Sequence, residues 1–394
     1  MSKINLTPSY LAMMCISLIG CGGGGSGSSN AAPQAMSAAA QVGDKIFHDV
    51  SLSASGSQSC ATCHNPDRAH AGADGRAVPL GGAAFDQPGF RNAPSLRYLA
   101  KNPAFFFDAE GTPTGGFNRD GRAQSLAEQA RRPFLAAHEM ANASVADVVN
   151  KLQAASYVEE FRAAFGTDIF NDPDTAFANA LSALEKYQQE DGEFNPFSSK
   201  YDYFLKGQAR LSDEEIRGLA LFNNSEKGNC AACHPSGRGE DGSLPLFTDF
   251  TYDNVGVPRN LDIPATADAN YFDLGLCGPD RVDLSARSDL CGAFKVPTLR
   301  NVAITTPYFH NGKFTTLKEV VGFYVRRDTH PEEWYPSDSS GVVKFNDVPP
   351  AFRANVNRSE KPYDRTLGQA PALNEQEIDD VIAFLNTLTD GYRP

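Results

Sequence analysis

Apolar side chains recur at helical spacing in several segments of the chain. Over Ser144–Phe165 they return about every three or four positions, which predicts one helix whose first serine is the N-cap. A second helix is predicted over Pro173–Tyr187, because Asp172 can cap it and proline suits the first helical position. The run that starts at Ser212 has the pattern of a capping box and predicts a helix through Leu221.

The C-terminal part of the chain predicts two further helices, over Thr316–Arg326 and over Asn374–Leu388, where the apolar residues form one stripe. Between the predicted helices lie long segments rich in glycine and proline, such as Pro66–Phe90 and Ser236–Asp273, which lack the alternation of a strand. The pattern therefore predicts a mainly α fold. Its long loops around short helices suit a core that a large cofactor completes.

Two halves of the chain repeat the same motifs in the same order, which indicates a duplicated domain. The polar run before Gly192–Asn195 marks the boundary, so we expect one domain over residues 41–193 and a second over 194–394. The repeated pairs are Gly43–Phe47 and Gly218–Phe222, Cys60–His64 and Cys230–His234, Pro94–Arg97 and Pro297–Arg300, and Ser125–Glu128 and Thr316–Glu319.

The N-terminus has the features of an export signal. Lys3 precedes an apolar stretch, Leu11–Gly20, that is too short to span a bilayer as a helix. The segment that ends at Cys21 resembles the bacterial lipoprotein signal, in which the cysteine is acylated, and a plain cleaved secretory peptide is the alternative. We expect a signal peptide over residues 1–20, a flexible tether over 21–40, and a periplasmic protein held at a membrane only by its lipid anchor.

Composition and cysteine usage narrow the function classes. With 41% hydrophobic and 21% charged residues, the 394-residue chain is of the soluble globular type. Its net charge of −13 argues against nucleic acid as a partner. Two of its eight cysteines lie in the leader and four form two C-x-x-C pairs. Because disulfides persist outside the cytoplasm, we expect the remaining two, Cys277 and Cys291, to pair.

Each C-x-x-C pair is followed directly by a histidine, and C-x-x-C-H is the attachment sequence of c-type haem. The two thiols form thioethers with the haem, and the histidine ligates the iron. A shared zinc site would have to bring both pairs together and leaves the histidines without a role, and a thioredoxin-type site lacks its βαβ setting. The sequence predicts two covalent haems, at Cys60, Cys63 and His64 and at Cys230, Cys233 and His234.

The sixth ligand of the second haem is constrained by the methionine count. No methionine occurs from residue 141 onward, so the usual electron-transfer Met ligand is missing from that half. A tyrosine, a histidine or an open position has to serve there.

Several segments are similar to the bacterial di-haem cytochrome c peroxidase/MauG superfamily, and the similarity extends over roughly residues 41–390. The resemblance implies two tandem cytochrome c-like domains. It also implies that the N-terminal haem reacts with hydrogen peroxide and that the C-terminal haem handles electrons. The segments that carry it are Gly89–Leu96, Asp120–Ala123, His138–Met140, Phe294–Ala303 and Thr306–Gly312.

The resemblance also assigns roles to single residues. Glu139 matches the acid in the distal pocket of the peroxidatic haem, where cleavage of a peroxide needs a group that moves a proton. Gln129 and Pro133 match other residues that line that pocket. The resemblance further implies a calcium ion between the haems. The positions that match its surroundings in the family are Asn92, Thr305 and Pro307.

Three positions depart from common family patterns. Leu80 occupies the place of a histidine that closes the resting peroxidatic haem in many relatives, so we expect that haem to be open, with His70 as the nearest substitute. Tyr324 stands where peroxidases supply methionine and MauG-type enzymes a tyrosinate. Arg119 stands where the family usually has a tryptophan between the haems.

The sequence as a whole favours a di-haem peroxidase that reduces hydrogen peroxide with electrons from a small periplasmic cytochrome c or cupredoxin. The alternative is a MauG-like oxidase that modifies residues of a partner protein. A non-enzymatic electron carrier is the third reading, and it would need neither a distal acid nor an open iron.

Overall fold

The computed structural model describes residues 35–394. Cys21, the signal peptide and most of the predicted tether lie outside these residues, and the first helix begins at Ala38, inside the last part of that tether. No helix in the described part of the chain is long and apolar enough to cross a membrane. The helices are α1 (Ala38–His48), α2 (Cys60–Cys63), α3 (Leu126–Leu135), α4 (Val145–Ala154), α5 (Val158–Phe165), α6 (Pro173–Glu190), α7 (Lys200–Leu205), α8 (Asp213–Asn223), α9 (Leu317–Arg326) and α10 (Glu375–Asn386).

Within residues 35–394 the strands are short and pair as two-residue antiparallel ladders. Long loops connect the helices, as the glycine and proline pattern predicts. The four ladders join β1 (Leu80–Gly81) to β2 (Gln87–Pro88), β3 (Phe106–Phe107) to β4 (Pro113–Thr114), β5 (Tyr252–Asp253) to β6 (Phe294–Lys295), and β7 (Ser337–Asp338) to β8 (Gly341–Val342).

The predicted helix ends are confirmed where a side chain caps the helix. Asp172 accepts from the backbone N–H of Asp174 at the start of α6, which runs three residues beyond the predicted end. Complete capping boxes open α8, α9 and α10. Local hydrogen bonding of this kind depends on residues three positions apart, so it can be read from the sequence.

One predicted helix is wrong. The segment 144–165 forms two helices, α4 and α5, because Ala155 adopts an extended backbone and ends α4. The break places Tyr157 between the helices, where it is buried and its hydroxyl donates to Oδ2 of Asp49 at 2.7 Å. Val148 and Phe161 still face the same core, so the spacing of apolar residues continues across the break. The break therefore leaves no sign in the hydrophobic pattern of the sequence.

Each half contains a pair of crossing helices, and the two pairs are alike. α1 packs against α6 in the first half, and α8 packs against α10 in the second. Each crossing is closest at a glycine of the repeated motif. A Cβ at Gly43 would lie 2.0 Å from the carbonyl oxygen of Ala183, and a Cβ at Gly218 would lie 1.9 Å from that of Asp380. Only glycine permits either approach.

The buried apolar residues divide along the chain. One core runs from Val42 to Phe194, and a second runs from Tyr201 to Leu388. A smaller cluster around Phe323 extends the second core. The change from one core to the other between Phe194 and Tyr201 lies next to the predicted boundary at 193/194. The structure also joins Cys277 and Cys291 in a disulfide, as predicted.

Candidate functional site

The first C-x-x-C-H motif folds as a single helical turn. In α2 the backbone N–H of His64 donates to the carbonyl of Cys60 at 2.9 Å, which brings the two thiols and the imidazole to one side. His64 Nδ1 lies 3.1 Å from the carbonyl oxygens of both His70 and Pro94. Because carbonyl oxygens only accept, Nδ1 carries the proton and Nε2 is left for a metal. Burial lowers the pKa of His64, which keeps the ring neutral as a ligand must be.

The second motif repeats this arrangement. The backbone N–H of His234 donates to Cys230 O at 2.9 Å, and its Nδ1 donates to Phe247 O at 2.8 Å. Burial raises the pKa of the thiols of Cys230 and Cys233 to about 12, so they are held as neutral thiols. The donor sets of both motifs fit a covalent haem with an axial histidine.

A cavity of ≈ 320 Å³, lined mainly by apolar atoms, opens beside the second motif. Cys230, Cys233 and His234 line it together with Tyr324, which projects from α9. A largely apolar cavity whose lining includes a histidine and a tyrosine suits a haem whose iron these two side chains would hold. Further lining comes from Phe222, Leu317, Val321, Tyr363, Leu373 and Leu385.

Tyr363 is a residue of this cavity that sequence reasoning missed. Its ring lies 5.9 Å from that of Tyr324, and the Arg327 guanidinium lies 4.2 Å from its centroid. Burial raises the pKa of both phenols, and the nearby Asp253 adds to the shift. A phenolate at either position therefore needs a cation such as haem iron as its partner. Tyr363 lies in a loop whose sequence has no periodic pattern that could have drawn attention to it.

The loop that carries Glu139 packs against β1, which contains Leu80. The carbonyl of Glu139 accepts from the N–H of Gly82 at 2.7 Å and from Nε2 of Gln58 at 2.8 Å. A Cβ at Gly81 would lie 2.4 Å from the carbonyl oxygen of His138. Leu80 O in turn lies 4.0 Å from Sγ of Cys63. The structure thus brings Glu139 and Leu80 together at the first haem motif.

Gln129 and Pro133 both lie on α3, one turn apart, and Glu139 follows the C-terminal end of this helix. The carbonyl of Pro133 accepts from the N–H of Met140 at 2.9 Å, which folds the chain after α3 back onto the helix. The two residues expected to line the distal pocket are therefore held next to its expected acid.

The charges around Glu139 act in opposite directions. Burial raises the pKa of this carboxyl, the positive charges of Arg132 and Arg122 lower it, and Asp280 raises it again. Arg132 Nη2 donates to Asp280 Oδ1 at 2.7 Å, and Arg122 Nη1 lies 3.4 Å from Asp280 Oδ2. The net direction is upward, so the pKa of this carboxyl lies above its usual value, in the direction that suits a group exchanging a proton with its substrate.

His70 does not face the first site as a substitute ligand. Its ring is fully buried and stacks on Phe194 with ring centroids 4.2 Å apart, and its carbonyl is one of the two that accept from His64 Nδ1–H. Burial lowers the pKa of His70 to about 3. The side chain therefore belongs to the core of the first half, behind the Nδ1 edge of His64.

Asn92 connects the two halves at the predicted calcium position. Its Nδ2 donates to the carbonyls of Pro307 and Phe309, and its backbone N–H donates to His310 O at 2.8 Å. Thr305 lines the same cavity as Asn92 and Pro307. The three residues are thus brought together. Among residues 35–394 there is no group of three or more His, Cys, Asp or Glu side chains suited to a metal ion, so calcium stays a prediction that rests on neutral oxygens.

Arg119 and Lys295 lie next to each other on the wall of the cavity between the halves. Arg119 Nε donates to Asn92 O at 3.0 Å, and the backbone N–H of Lys295 donates to Arg119 O at 2.9 Å. Burial lowers the pKa of Arg119 to about 10 and that of Lys295 to about 7. Arg119, at the position where the family usually has a tryptophan, thus lies beside another basic side chain, Lys295.

Two C-x-x-C-H sites in a duplicated helical fold define the class of c-type cytochromes. Within that class the chain belongs to the di-haem cytochrome c peroxidase/MauG family, whose model matches residues 37–210. The chain is 37% identical, over 93% of both chains, to the methylamine utilization protein MauG of Paracoccus denitrificans. It is 30% identical, over 78% of both chains, to the cytochrome c551 peroxidase of Nitrosomonas europaea.

A solved structure of similar fold is the diheme peroxidase BthA of Burkholderia thailandensis, with a TM-score of 0.82, 40% identity, and coverage of 89% of this chain and 86% of that one. A variant of BthA in which a tyrosine is replaced by methionine has also been solved, and it matches with a TM-score of 0.81 and 39% identity. The chain is therefore an oxidoreductase of a family that carries two c-type haems.

Proposed function

We propose that the protein is a di-haem peroxidase that reduces hydrogen peroxide at the His64 site with electrons relayed through the His234 site. Glu139 carries this proposal, because it is a half-buried carboxyl in a loop that packs beside the first haem motif, next to a leucine where many relatives place a closing histidine. Haem iron at each site supplies the redox chemistry when bound. The overall reaction consumes one peroxide, two protons and two electrons and yields two waters.

In this proposal Glu139 moves the proton. Cleavage of the O–O bond requires that a proton leave the oxygen that is retained and reach the oxygen that departs as water. A carboxylate oxygen of Glu139 accepts the first proton and returns it to the leaving oxygen. Gln129 and Pro133 confine the peroxide beside this carboxyl. The positive charges of Arg132 and Arg122 oppose the rise in the pKa of this carboxyl that burial causes.

At the second site Tyr324 would hold the haem iron together with His234. Between the sites a calcium ion would be held by Asn92, Thr305 and Pro307. An anionic phenolate favours ferric over ferrous iron, so it would lower the potential of this haem. The donor would be a small cytochrome c or cupredoxin in the periplasm, where a lipid on Cys21 would hold the enzyme at the membrane.

A second candidate is a MauG-like oxidase that acts on residues of a partner protein. Tyr324 favours it, because this position carries a tyrosinate in MauG-type enzymes, and so does the similarity to MauG of Paracoccus denitrificans. Arg119 argues against it, because a guanidinium cannot pass an oxidising equivalent between the sites as an indole can.

The test is turnover of hydrogen peroxide by the purified holoprotein with a reduced cytochrome c as donor. Glu139→Gln should slow peroxide cleavage by about 10²–10⁴-fold, the usual scale for a positioned proton shuttle. Glu159→Gln is the matched control, because Glu159 is an exposed carboxyl of the same half, and it should react at the native rate. Equal rates for Glu139→Gln and the native protein would assign Glu139 to structure.

A further inference from the structure

Arg119 and Lys295 are cations without a carboxylate partner among residues 35–394. Arg119 Nε donates to a backbone carbonyl, and Lys295 Nζ contacts the carbonyl of Gly116 and, at 3.4 Å, Oδ1 of Asn102. The neighbouring arginines, in contrast, each have a carboxylate partner. Arg91 pairs with Asp273 at 2.6 Å, and Arg300 pairs with Asp202 at 2.8 Å. The neighbouring cations Arg91 and Arg300 therefore have carboxylate partners within the chain, whereas Arg119 and Lys295 have none among residues 35–394.

An unpaired cation in a partly enclosed space is unfavourable, because it loses hydration and gains no opposite charge. The low pKa of Lys295 reflects this loss. Both side chains line the cavity that also holds Cys230, Cys233 and His234. An anion that enters this cavity with the cofactor would supply the missing partner, and haem itself brings two carboxylates on its propionate side chains.

The other charged groups at this point do not serve as that partner. Asp120 and Asp273 are both engaged by Arg91, and Asp347 is engaged by His310 and Asn311. The charged groups that face Arg119 and Lys295 or share their cavity are Arg91, Asp120, Asp273, Arg97, Asp253, Arg300, His310, Asp347, Glu360 and Lys361.

We propose that Arg119 and Lys295 form a carboxylate-binding site that holds the propionates of the haem attached at Cys230 and Cys233. The planar fork of Arg119 suits a bidentate carboxylate contact, and the ammonium of Lys295 adds a second charge beside it. The proposal rests on the second haem site of the proposed function. It gives Arg119 a role different from that of the tryptophan it replaces, since it binds a haem substituent and compensates its charge.

Two positive charges beside a haem favour its reduced form, because reduction removes one positive charge from the iron. Lys295→Gln and Arg119→Gln should each lower the midpoint potential of the second haem in the holoprotein. They should also move the pH range in which this potential depends on pH to higher values, because a propionate without its cation holds its proton more tightly. Lys295→Arg keeps the charge and should keep both the potential and its pH range.

The measurement is a spectroelectrochemical titration of both haems over a series of pH values, with haem content checked for each variant. Arg287→Gln is the control, because Arg287 is a half-exposed arginine paired with Asp289, and it should leave both potentials unchanged. Unchanged potentials and pH ranges in both neutralising variants would overturn the proposal. Because peroxide turnover is assayed separately, this failure would leave the role of Glu139 standing.

A second measurement needs no variant. If propionates fill the site, added phosphate at constant ionic strength leaves the potential of the second haem in the wild-type protein unchanged. A potential that falls with phosphate concentration would show that the two cations bind anions from solution, and it would overturn the assignment to the propionates.

Discussion

Arg132 of the first half donates to Asp280 of the second half at 2.7 Å, and Asp280 lies in the loop that the Cys277–Cys291 disulfide closes. Arg281 in the same loop donates to the carbonyl of Asp120 at 2.9 Å. A disulfide-closed loop of one half thus holds charged groups of the other, beside the carboxyl of Glu139. The proton chemistry proposed for the first site therefore depends on a segment that lies more than a hundred residues further along the chain.

Asp280→Asn should shift the pH dependence of the peroxide reaction. The substitution removes a negative charge that raises the pKa of Glu139 and releases Arg132, whose charge lowers it, so the pKa falls. If the carboxylate form of Glu139 is the active one, the acid limb of kcat/KM for peroxide moves to lower pH. Asp289→Asn, an exposed change in the same loop, should leave the limb in place. An unmoved limb in Asp280→Asn would show that Arg132 does not influence Glu139.

Leu80→His should close the first site. The backbone of Leu80 lies beside Cys63, so an imidazole at this position can reach an iron bound at His64. We expect the resting ferric variant to bind cyanide at least tenfold more slowly than the native protein until it is reduced. Leu80→Gln is the control for side-chain polarity and should bind cyanide at once. Fast binding in Leu80→His would place residue 80 out of reach of the iron.

Tyr324→Met should raise the midpoint potential of the second haem, because a neutral thioether replaces an anionic phenolate. Tyr363→Met provides the matched comparison, since both rings line the same cavity and lie 5.9 Å apart. Tyr363→Met should change the midpoint potential of the second haem less than Tyr324→Met does. If Tyr363→Met gave the larger rise in potential, the ligand would be Tyr363 and the assignment of Tyr324 would be wrong.

Gly43→Ala and Gly218→Ala should each destabilise the protein. A Cβ at either position meets a backbone carbonyl oxygen at about 2 Å, so the crossing helices have to separate, at a cost of about 1–3 kcal/mol. Alanine is otherwise the better helix former by about 1 kcal/mol, so the sign of the change in the free energy of unfolding is informative. Gly192→Ala meets open space and should be neutral in the same denaturant titration. Stabilisation by either helix substitution would contradict the close crossing.

The sequence predicts the parts of this structure that depend on near neighbours in the chain. Caps such as Ser212 with Glu215 and the attachment turn from Cys60 to His64 involve residues a few positions apart, and both are present. The break at Ala155 could not be predicted, because the apolar period continues through it. The partner of Tyr157 at the break, Asp49, is also distant in sequence. The role of Tyr363 in the cavity and the pairing of Arg132 with Asp280 could not be predicted either, because neither produces a pattern among residues that are close in sequence.

The glycine crossings also bear on how the molecule diverged after its duplication. In the first half α1 meets α6 at Gly43, and in the second half α8 meets α10 at Gly218, so each half is closed by a crossing of its own helices. Two self-contained copies are free to accumulate different substitutions around their own histidine. In the proposed function one half supplies Glu139, with Leu80 where many relatives have a histidine, and the other half supplies Tyr324. Ancestral reconstruction of each half separately would show in what order the residues proposed for peroxide cleavage and for electron transfer entered the two halves.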